Sequence, residues 1–103
     1  MATEIVSAKT WNHCQPGETY VEVQIWIETY GKRYRAFVRQ ERGSHQGYFS
    51  PWHDEIIRAL GVTPEAALDA VLTIDFRYGV YDEETFDRAV SAIRSKLAAA
   101  EVA

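Results

Sequence analysis

The most constraining feature of the sequence is a pair of alternating segments that meet at Gly31 and Lys32. Glycine at the first position of a two-residue loop is typical of a type II′ turn, and a loop of this length fixes the register of the strands it joins. We therefore predict an antiparallel hairpin. Its predicted cross-strand pairs are Glu28 with Arg35, Trp26 with Phe37, Gln24 with Arg39, Ile27 with Ala36, and Ile25 with Val38.

This register separates an apolar face of the hairpin from a polar and aromatic one. A slip of one residue would place Ile27 opposite Arg35 and would turn every side chain to the other side of the sheet. The predicted inward residues are Val21, Val23, Ile25, Ile27, Ala36 and Val38. The opposite face presents Tyr20, Glu22, Gln24, Trp26, Glu28 and Tyr30 on one strand, and Arg33, Arg35, Phe37, Arg39 and Glu41 on the other.

A further strand is predicted before the hairpin, from Thr3 to Trp11. Between the two, the segment from Gln15 to Glu18 has proline and glycine at the positions that a type II turn requires. The first half of the chain is therefore predicted to form a three-stranded antiparallel meander, which needs cover on one face only.

The second half of the chain has the spacing and cap residues of helices. Ser50 and Pro51 are typical of a helix start, with the helix predicted to end at Gly61. A second helix is predicted to begin at Thr63 and to continue to about residue 75, although residues 73–80 also alternate as a strand would. Asp82 is predicted to cap a last helix, whose end frays after Leu97.

The predicted fold is α+β in two layers: a three-stranded antiparallel meander with two or three helices packed on one face. The chain is expected to be a single domain over residues 1–103, mainly β over residues 1–48 and mainly α over residues 50–100. The predicted core consists of Val21, Val23, Ile25, Ile27, Val38, Ile56, Leu60, Leu68, Val71, Leu72, Phe86, Val90, Ile93 and Leu97.

Composition excludes several classes of protein. The 103 residues are 47% hydrophobic and carry a net charge of −4, which argues against disorder and gives no overall attraction to nucleic acid or to an anionic membrane. No apolar run approaches the length needed to span a bilayer. The single cysteine, Cys14, provides no disulfide framework, so a cytoplasmic location is expected.

Catalytic and metal-binding patterns are not found in the sequence. The candidate metal ligands are His13, Cys14, His45, His53 and Asp54, and none of them has a recognised ligand spacing. The carboxylate pairs Asp54–Glu55 and Glu83–Glu84 lie at predicted helix starts, where acidic residues are expected in any case. We therefore expect no enzymatic activity, no cofactor and no metal.

The outward face of the hairpin is the candidate binding site. Its aromatic residues alternate with arginines, while its three arginines and three glutamates balance in charge, a composition closer to a protein interface than to a phosphate-binding surface. The segment of residues 42–50 is a second candidate, as a recognition loop or as a plain connection. The predicted protein-binding residues are Trp26, Phe37, Arg35, Arg39, Glu28, Tyr30, His45 and Tyr48. Another protein or a second copy of the chain is the expected partner; alternatively, Trp26 and Phe37 only brace the hairpin.

The order of three strands followed by a helix, with Gly31-Lys32-Arg33-Tyr34-Arg35-Ala36 in a strand and Thr63-Pro64-Glu65-Ala66-Ala67-Leu68 opening a helix, resembles double-stranded-RNA-binding folds and the related HicB antitoxins. The resemblance covers roughly residues 18–72. It implies the alternative function of a nucleic-acid-binding regulator of the antitoxin type. The basic cluster with which such domains grip RNA is absent at the helix start, where Pro64 and Glu65 stand.

Overall fold

A computed structural model describes residues 2–12 and 17–102. They form a small α+β fold in which a four-stranded antiparallel sheet, ordered as the chain runs, carries two helices. No helix of this described part is long and apolar enough to cross a bilayer. The elements are β1 (Glu4–Trp11), β2 (Thr19–Tyr30), β3 (Arg33–His45), β4 (Phe49–Gly61), α1 (Pro64–Val71) and α2 (Glu83–Val102).

The hairpin of β2 and β3 has the predicted register throughout. Trp26 pairs with Phe37, Ile25 with Val38, and the remaining pairs follow the same alignment. Gly31 has a φ of +61°, and no non-glycine residue of the described chain has a positive φ, as a type II′ turn requires. The predicted first strand is confirmed as β1. Of the predicted type II turn, Gln15 and Pro16 lie outside the described residues.

The predicted helix from Ser50 to Gly61 is wrong, because this segment forms β4. It pairs with β3 along its whole length, so the backbone groups on that side of β3 find their partners there. The side chains of Ile56 and Leu60, predicted to be core, point away from the helices and are 52% and 43% exposed. The sheet therefore has four strands where three were predicted.

β4 tolerates a proline because it lies at an edge of the sheet. A central strand forms hydrogen bonds to neighbours on both of its sides, and proline has no N–H to donate. Proline therefore occurs in edge strands and at bulges. The register of β4 shifts beside Pro51, where Trp52 is an extra residue between the pairs Arg42–His53 and Gly43–Pro51. Ser50 and Pro51, interpreted from the sequence as a helix start, thus belong to the irregular beginning of an edge strand.

α1 begins where predicted and ends earlier. The Thr63 side chain accepts a hydrogen bond from the Ala66 amide at 3.0 Å, with Pro64 as the first helical residue. The helix stops at Val71 rather than near residue 75. There the Thr73 and Ile74 amides bond to carbonyls three residues back, which tightens and ends the helix. Residues 73–80 form turns and irregular backbone, neither of the two predicted states.

α2 is capped by Asp82 as predicted, since its carboxylate accepts hydrogen bonds from the backbone amide and the hydroxyl of Thr85. The helix continues to Val102, five residues beyond Leu97, after which the sequence predicts fraying.

The core lies between the two helices and one face of the sheet. α1 packs on β3 and β4, and α2 packs on β1 and β2. At the start of α1, a Cβ added to Gly61 would lie 2.2 Å from the Ala67 nitrogen, so only glycine allows this close approach. The buried apolar residues of this core are Ala8, Val21, Val23, Ile25, Ile27, Ala36, Val38, Ala67, Leu68, Val71, Phe76, Ala89, Ile93 and Leu97. Leu72, Phe86 and Val90, predicted to be core, lie at its margin and are partly buried.

Candidate functional site

The helices cover one face of the sheet and leave the other, which we call the outer face, without a covering element. Side chains alternate along each strand, so the register assigns its members. They are Glu4, Ser7, Lys9 and Trp11 on β1; Glu22, Gln24, Trp26, Glu28 and Tyr30 on β2; Arg33, Arg35, Phe37, Arg39 and Glu41 on β3; and Asp54, Ile56, Arg58 and Leu60 on β4. Five of these residues are basic and five are acidic, which leaves the face balanced in charge.

A stacked aromatic pair lies at the centre of the outer face. The rings of Trp26 and Phe37 are 4.8 Å apart between centroids and nearly parallel, at 6°. Both side chains are half-buried. Each ring therefore directs one π-face at its neighbour, and these two facing surfaces are closed to any ligand.

Arg35 joins this pair to the turn end of the hairpin. Its guanidinium lies 3.7 Å from the centroid of the Tyr30 ring and 5.8 Å from that of Phe37, within the range of cation–π attraction. Beside it is a shallow cavity of about 320 Å³ lined by Arg35, Arg58, Ala59 and Leu60. An apolar side chain of a binding partner would meet the aliphatic surface of Ala59 and Leu60 there, flanked by the cationic groups of Arg35 and Arg58.

A hydrogen-bonded charge network fixes the other side of the stacked pair. Arg39 binds the Asp54 carboxylate through two nitrogens at 2.8 Å each, and it also binds Glu41 at 2.8 Å. Glu41 in turn accepts the Tyr20 hydroxyl at 2.7 Å. The Asp54 carboxylate raises the pKa of Arg39, while burial, followed by the hydrogen bond to Glu41, raises the pKa of Tyr20. Arg39 therefore stays charged and held in place.

Tyr20, predicted to be on the outward face, is buried, with only 3% of its surface exposed. The Phe49 ring packs edge-on against it at 4.9 Å. With Trp11 these residues line a cavity of about 280 Å³ at the end of the outer face next to the β3–β4 turn.

Sequence reasoning missed the contribution of β4 to this face. Ile56 and Leu60 add exposed apolar surface next to the cavity beside Arg35, and Arg58 and Asp54 add charges of both signs. Residues 54–60 do not alternate strictly between polar and apolar side chains, so the sequence offers no clear signal for a strand there. The helix-start residues Ser50 and Pro51, together with the i, i+4 spacing of Trp52, Ile56 and Leu60, favoured a helix instead.

The structure brings six of the eight predicted site residues together and separates the other two. Trp26, Phe37, Arg35, Arg39, Glu28 and Tyr30 all lie on the outer face. His45 ends β3, about 26 Å along the strand from Phe37 at ~3.3 Å per residue, and Tyr48 lies in the turn that follows. There the His45 ring stacks on Phe49 at 4.6 Å, while Tyr48 is 65% exposed.

The segment of residues 42–50, predicted as a recognition loop or plain connection, is mostly strand. Residues up to His45 belong to β3 and residues from Phe49 to β4, so that only three residues form the turn. Phe49 is 61% exposed, and neither it nor Tyr48 tucks into the edge of the core as the plain-connection alternative supposed. This end of the molecule is a hairpin tip with exposed aromatic rings.

A second concave region lies on the helix side of the sheet. Arg42, His53, Tyr78 and Tyr81 line a cavity of about 490 Å³, in which the Arg42 guanidinium lies 5.2 Å from the Tyr81 ring centroid. Within the described part of the chain, the Arg42 Nε is the one buried side-chain nitrogen or oxygen without a hydrogen-bond partner. Burial raises the pKa of Tyr81. Glu55 also lies close by, so this region presents both signs of charge.

Histidine, cysteine and acidic side chains do not gather in threes around one point anywhere in residues 2–12 and 17–102. Of the candidate metal ligands, His45, His53 and Asp54 lie on β3 and β4, and His13 and Cys14 lie outside the described residues.

No protein-family model matches this chain, and neither a curated protein nor a solved structure shows significant similarity to it. The arrangement of its own residues is accordingly the basis for any functional conclusion.

Proposed function

We propose that this protein is a small non-enzymatic binding module that recognises another protein through the outer face of its sheet. The observation that carries the proposal is the half-buried Trp26–Phe37 stack on a face that no helix covers. Aromatic residues and arginine, placed centrally and surrounded by polar groups, are the residue types that dominate binding energy at protein interfaces.

The surroundings of the stack support a protein partner. Ile56 and Leu60 extend the apolar area beyond the stacked rings with exposed side chains. Around it lie ion pairs that are already formed, Arg39 with Asp54 and Glu41 on one side and Lys9 with Glu22 on the other. A partner with a protruding apolar side chain and polar groups of both signs fits this pattern of apolar centre and polar rim.

The charge and ring geometry disfavour the alternative, a nucleic-acid-binding regulator. A phosphate backbone requires a net positive surface, whereas the outer face is balanced. Bases stack on exposed ring faces, whereas the Trp26 and Phe37 rings lie against each other. Protein recognition is therefore the function that we favour.

Site-directed photo-cross-linking in an extract of the native host tests the proposal. A photo-reactive residue replacing Gln24, beside the stack, is compared with one replacing Ser91, which is exposed on α2. The captured protein is then purified and titrated with the unmodified chain. We expect Trp26→Ala to weaken binding by about 2 kcal/mol, roughly 30-fold in Kd, and Tyr78→Ala, which removes an exposed aromatic ring on the helix side, to leave it unchanged.

Three results would contradict protein recognition by the outer face. One is equal capture from both positions, and another is a purified partner that binds Trp26→Ala as tightly as the original chain. The third is binding to single-stranded DNA or RNA that weakens steeply as salt rises, because such a salt dependence indicates phosphate contacts.

A further inference from the structure

The two edges of the sheet are protected to different degrees. In β1, the odd-numbered residues direct their backbone groups away from β2, because bonded pairs alternate along antiparallel strands. Two of these outward carbonyls are occupied by side chains of α2: Lys96 donates to the Ser7 oxygen at 2.6 Å, and Arg88 donates to the Trp11 oxygen at 3.1 Å. Basic side chains of this kind block the pairing of an edge with another chain.

The edge formed by β4 has a proline and a bulge at its beginning, at Pro51 and Trp52. From Asp54 to Arg58 no side chain of the described residues bonds to its outward backbone groups. Tyr30 and Arg33 flank the two-residue turn and form a hydrogen-bonded pair, so the odd-numbered residues of β3 bond to β2 and its even-numbered residues bond to β4. These even-numbered residues pair with odd-numbered residues of β4. The even-numbered residues of β4 therefore direct their amides and carbonyls at the free edge. Within the described residues, no backbone hydrogen bond joins β4 to any strand or loop other than β3. Asp54, Ile56 and Arg58 therefore present consecutive unpaired donor and acceptor groups.

The side chains along this edge complement a second copy of themselves in one register. If two β4 strands pair antiparallel about a twofold axis at Ile56, then Asp54 of each copy lies opposite Arg58 of the other. The same alignment sets Ile56 against Ile56. A shift of the axis by one residue in either direction leaves Asp54 and Arg58 opposite apolar side chains, and a shift by two sets like charges opposite each other.

The charged groups are accessible for this pairing. The Asp54 side chain is 45% exposed even with Arg39 bound to it. Arg58 is exposed and makes no ion pair within the described part of the chain. Pairing would also shield Ile56 and Leu60, whose side chains are 52% and 43% exposed.

We propose that the free edge of β4 is a self-association site, at which two copies pair antiparallel about Ile56 and join their sheets into one of eight strands. The proposal does not depend on the binding of a different protein to the outer face. A contact limited to one strand pair is small, so the self-association is expected to be weak and to depend on protein concentration.

Charge-reversed variants test both the pairing and its register, with the dissociation constant of the dimer measured by sedimentation equilibrium. Arg58→Asp sets two aspartates against each other at both ends of the pair, and Asp54→Arg sets two arginines against each other. Each variant alone should self-associate about 30-fold more weakly than the original chain. An equimolar mixture of the two variants should restore association as a one-to-one heterodimer, because every charged pair is then complementary. Lys32→Asp, the same change of charge in the hairpin turn, should leave the dimer intact.

Amide hydrogen exchange on the unmodified chain provides a test that needs no variant. Protection at Ile56 and Arg58 should rise with protein concentration, while Glu55 and Ile57, which bond to β3, should be protected at every concentration.

The edge proposal fails if the chain is monomeric at about 1 mM or if the protection of the Ile56 amide does not depend on protein concentration. It also fails if the mixed variants stay monomeric although circular dichroism shows that both are folded. A dimer that is lost in Trp26→Ala and kept in Arg58→Asp would place self-association on the outer face instead. If only the outer-face proposal fails, the results of the charge-reversed variants and the pattern of amide hydrogen exchange stay as expected.

Discussion

Gln40 shows how a single polar side chain positions a segment that has no regular structure of its own. It is completely buried. Its amide nitrogen donates to the Gly79 carbonyl at 2.8 Å, and its amide oxygen accepts from the Tyr81 backbone at 3.1 Å. One side chain on β3 therefore satisfies two backbone groups of the connection between the helices and holds that connection against the sheet.

Replacing Gln40 with alanine should lower the free energy of unfolding by about 2–3 kcal/mol, because the two backbone groups lose their partners in a buried place. Gln24→Ala removes the same side chain from the outer face and should change stability by less than about 0.5 kcal/mol. Urea unfolding of both variants checks the difference. Equal effects would mean that the backbone of the connection rearranges to satisfy itself.

The cap of α2 should make part of the stability depend on pH. Two hydrogen bonds from Thr85 lower the pKa of Asp82, and the bond from its hydroxyl has a larger effect than the bond from its backbone amide. A lowered pKa in the folded state means that the stabilisation is complete above about pH 4 and is lost as the pH falls through the lowered value. Asp82→Ala should therefore cost about 1 kcal/mol at pH 7, and this difference should shrink in acid.

Thermal unfolding of the two proteins from pH 7 down to pH 2 measures this loss. Asp82→Asn is the matched control, because asparagine keeps an oxygen that accepts from the helix amides and should retain most of the stability at pH 7. A difference between the original chain and Asp82→Ala that stays constant to pH 2 would show that the ionised carboxylate does not provide the stabilisation.

At the scale of the elements, the two faces of β2 are expected to respond differently to substitution. Ile25 is completely buried, and Ile25→Ala should cost about 2–5 kcal/mol through lost burial and the cavity left behind. Trp26 is half-buried on the outer face, so Trp26→Ala should cost about 1–1.5 kcal/mol, mainly the loss of its stack with Phe37. Melting both variants side by side is the measurement. Equal destabilisation would make Trp26 a core residue and would argue against an interface there.

Elements that depend on local signals could be predicted from the sequence, and the element that depends on distant pairing could not. The hairpin has a turn and an alternation that specify its register within a few residues. Thr63 and Asp82 bear cap side chains that act within one helical turn. β4 lacks a comparable local signal, since its conformation is determined by the backbone of β3.

The same distinction explains how much of the candidate site could be predicted. Trp26, Phe37 and Arg35 belong to the hairpin, so their common face followed from its register. Ile56 and Arg58 reach that face only through the pairing of β4 with β3, which no local pattern specifies. The segment after α1 is similar, because it places Phe76 in the core, a contact with distant strands that no local pattern specifies.

At the scale of the whole molecule, the architecture leaves one face and one edge of the sheet uncovered. Both helices lie on one face, so the other face is available to a partner without any rearrangement of the fold. The basic side chains of α2 close one edge of the sheet, and the opposite edge remains open. The two proposed contacts share side chains of β4, but the outer face is centred on Trp26 and Phe37, whereas the edge pairs through the backbone of β4 and through Asp54 and Arg58. Trp26→Ala and Arg58→Asp therefore distinguish them.

The packing of α2 on β1 and β2 has a consequence for biosynthesis. α2 is the last of the six elements to be translated, and it covers the strands that are translated first. Until it leaves the ribosome, the inner face of β1 and β2 has no helix to cover it, and Ser7 and Trp11 lack the side chains that occupy their carbonyls. Domains of nascent chains generally fold in order of synthesis. In this chain, the apolar side chains on the inner face of β1 and β2 stay exposed to water until α2 has been synthesised. Apolar surface exposed during that interval favours aggregation and chaperone binding.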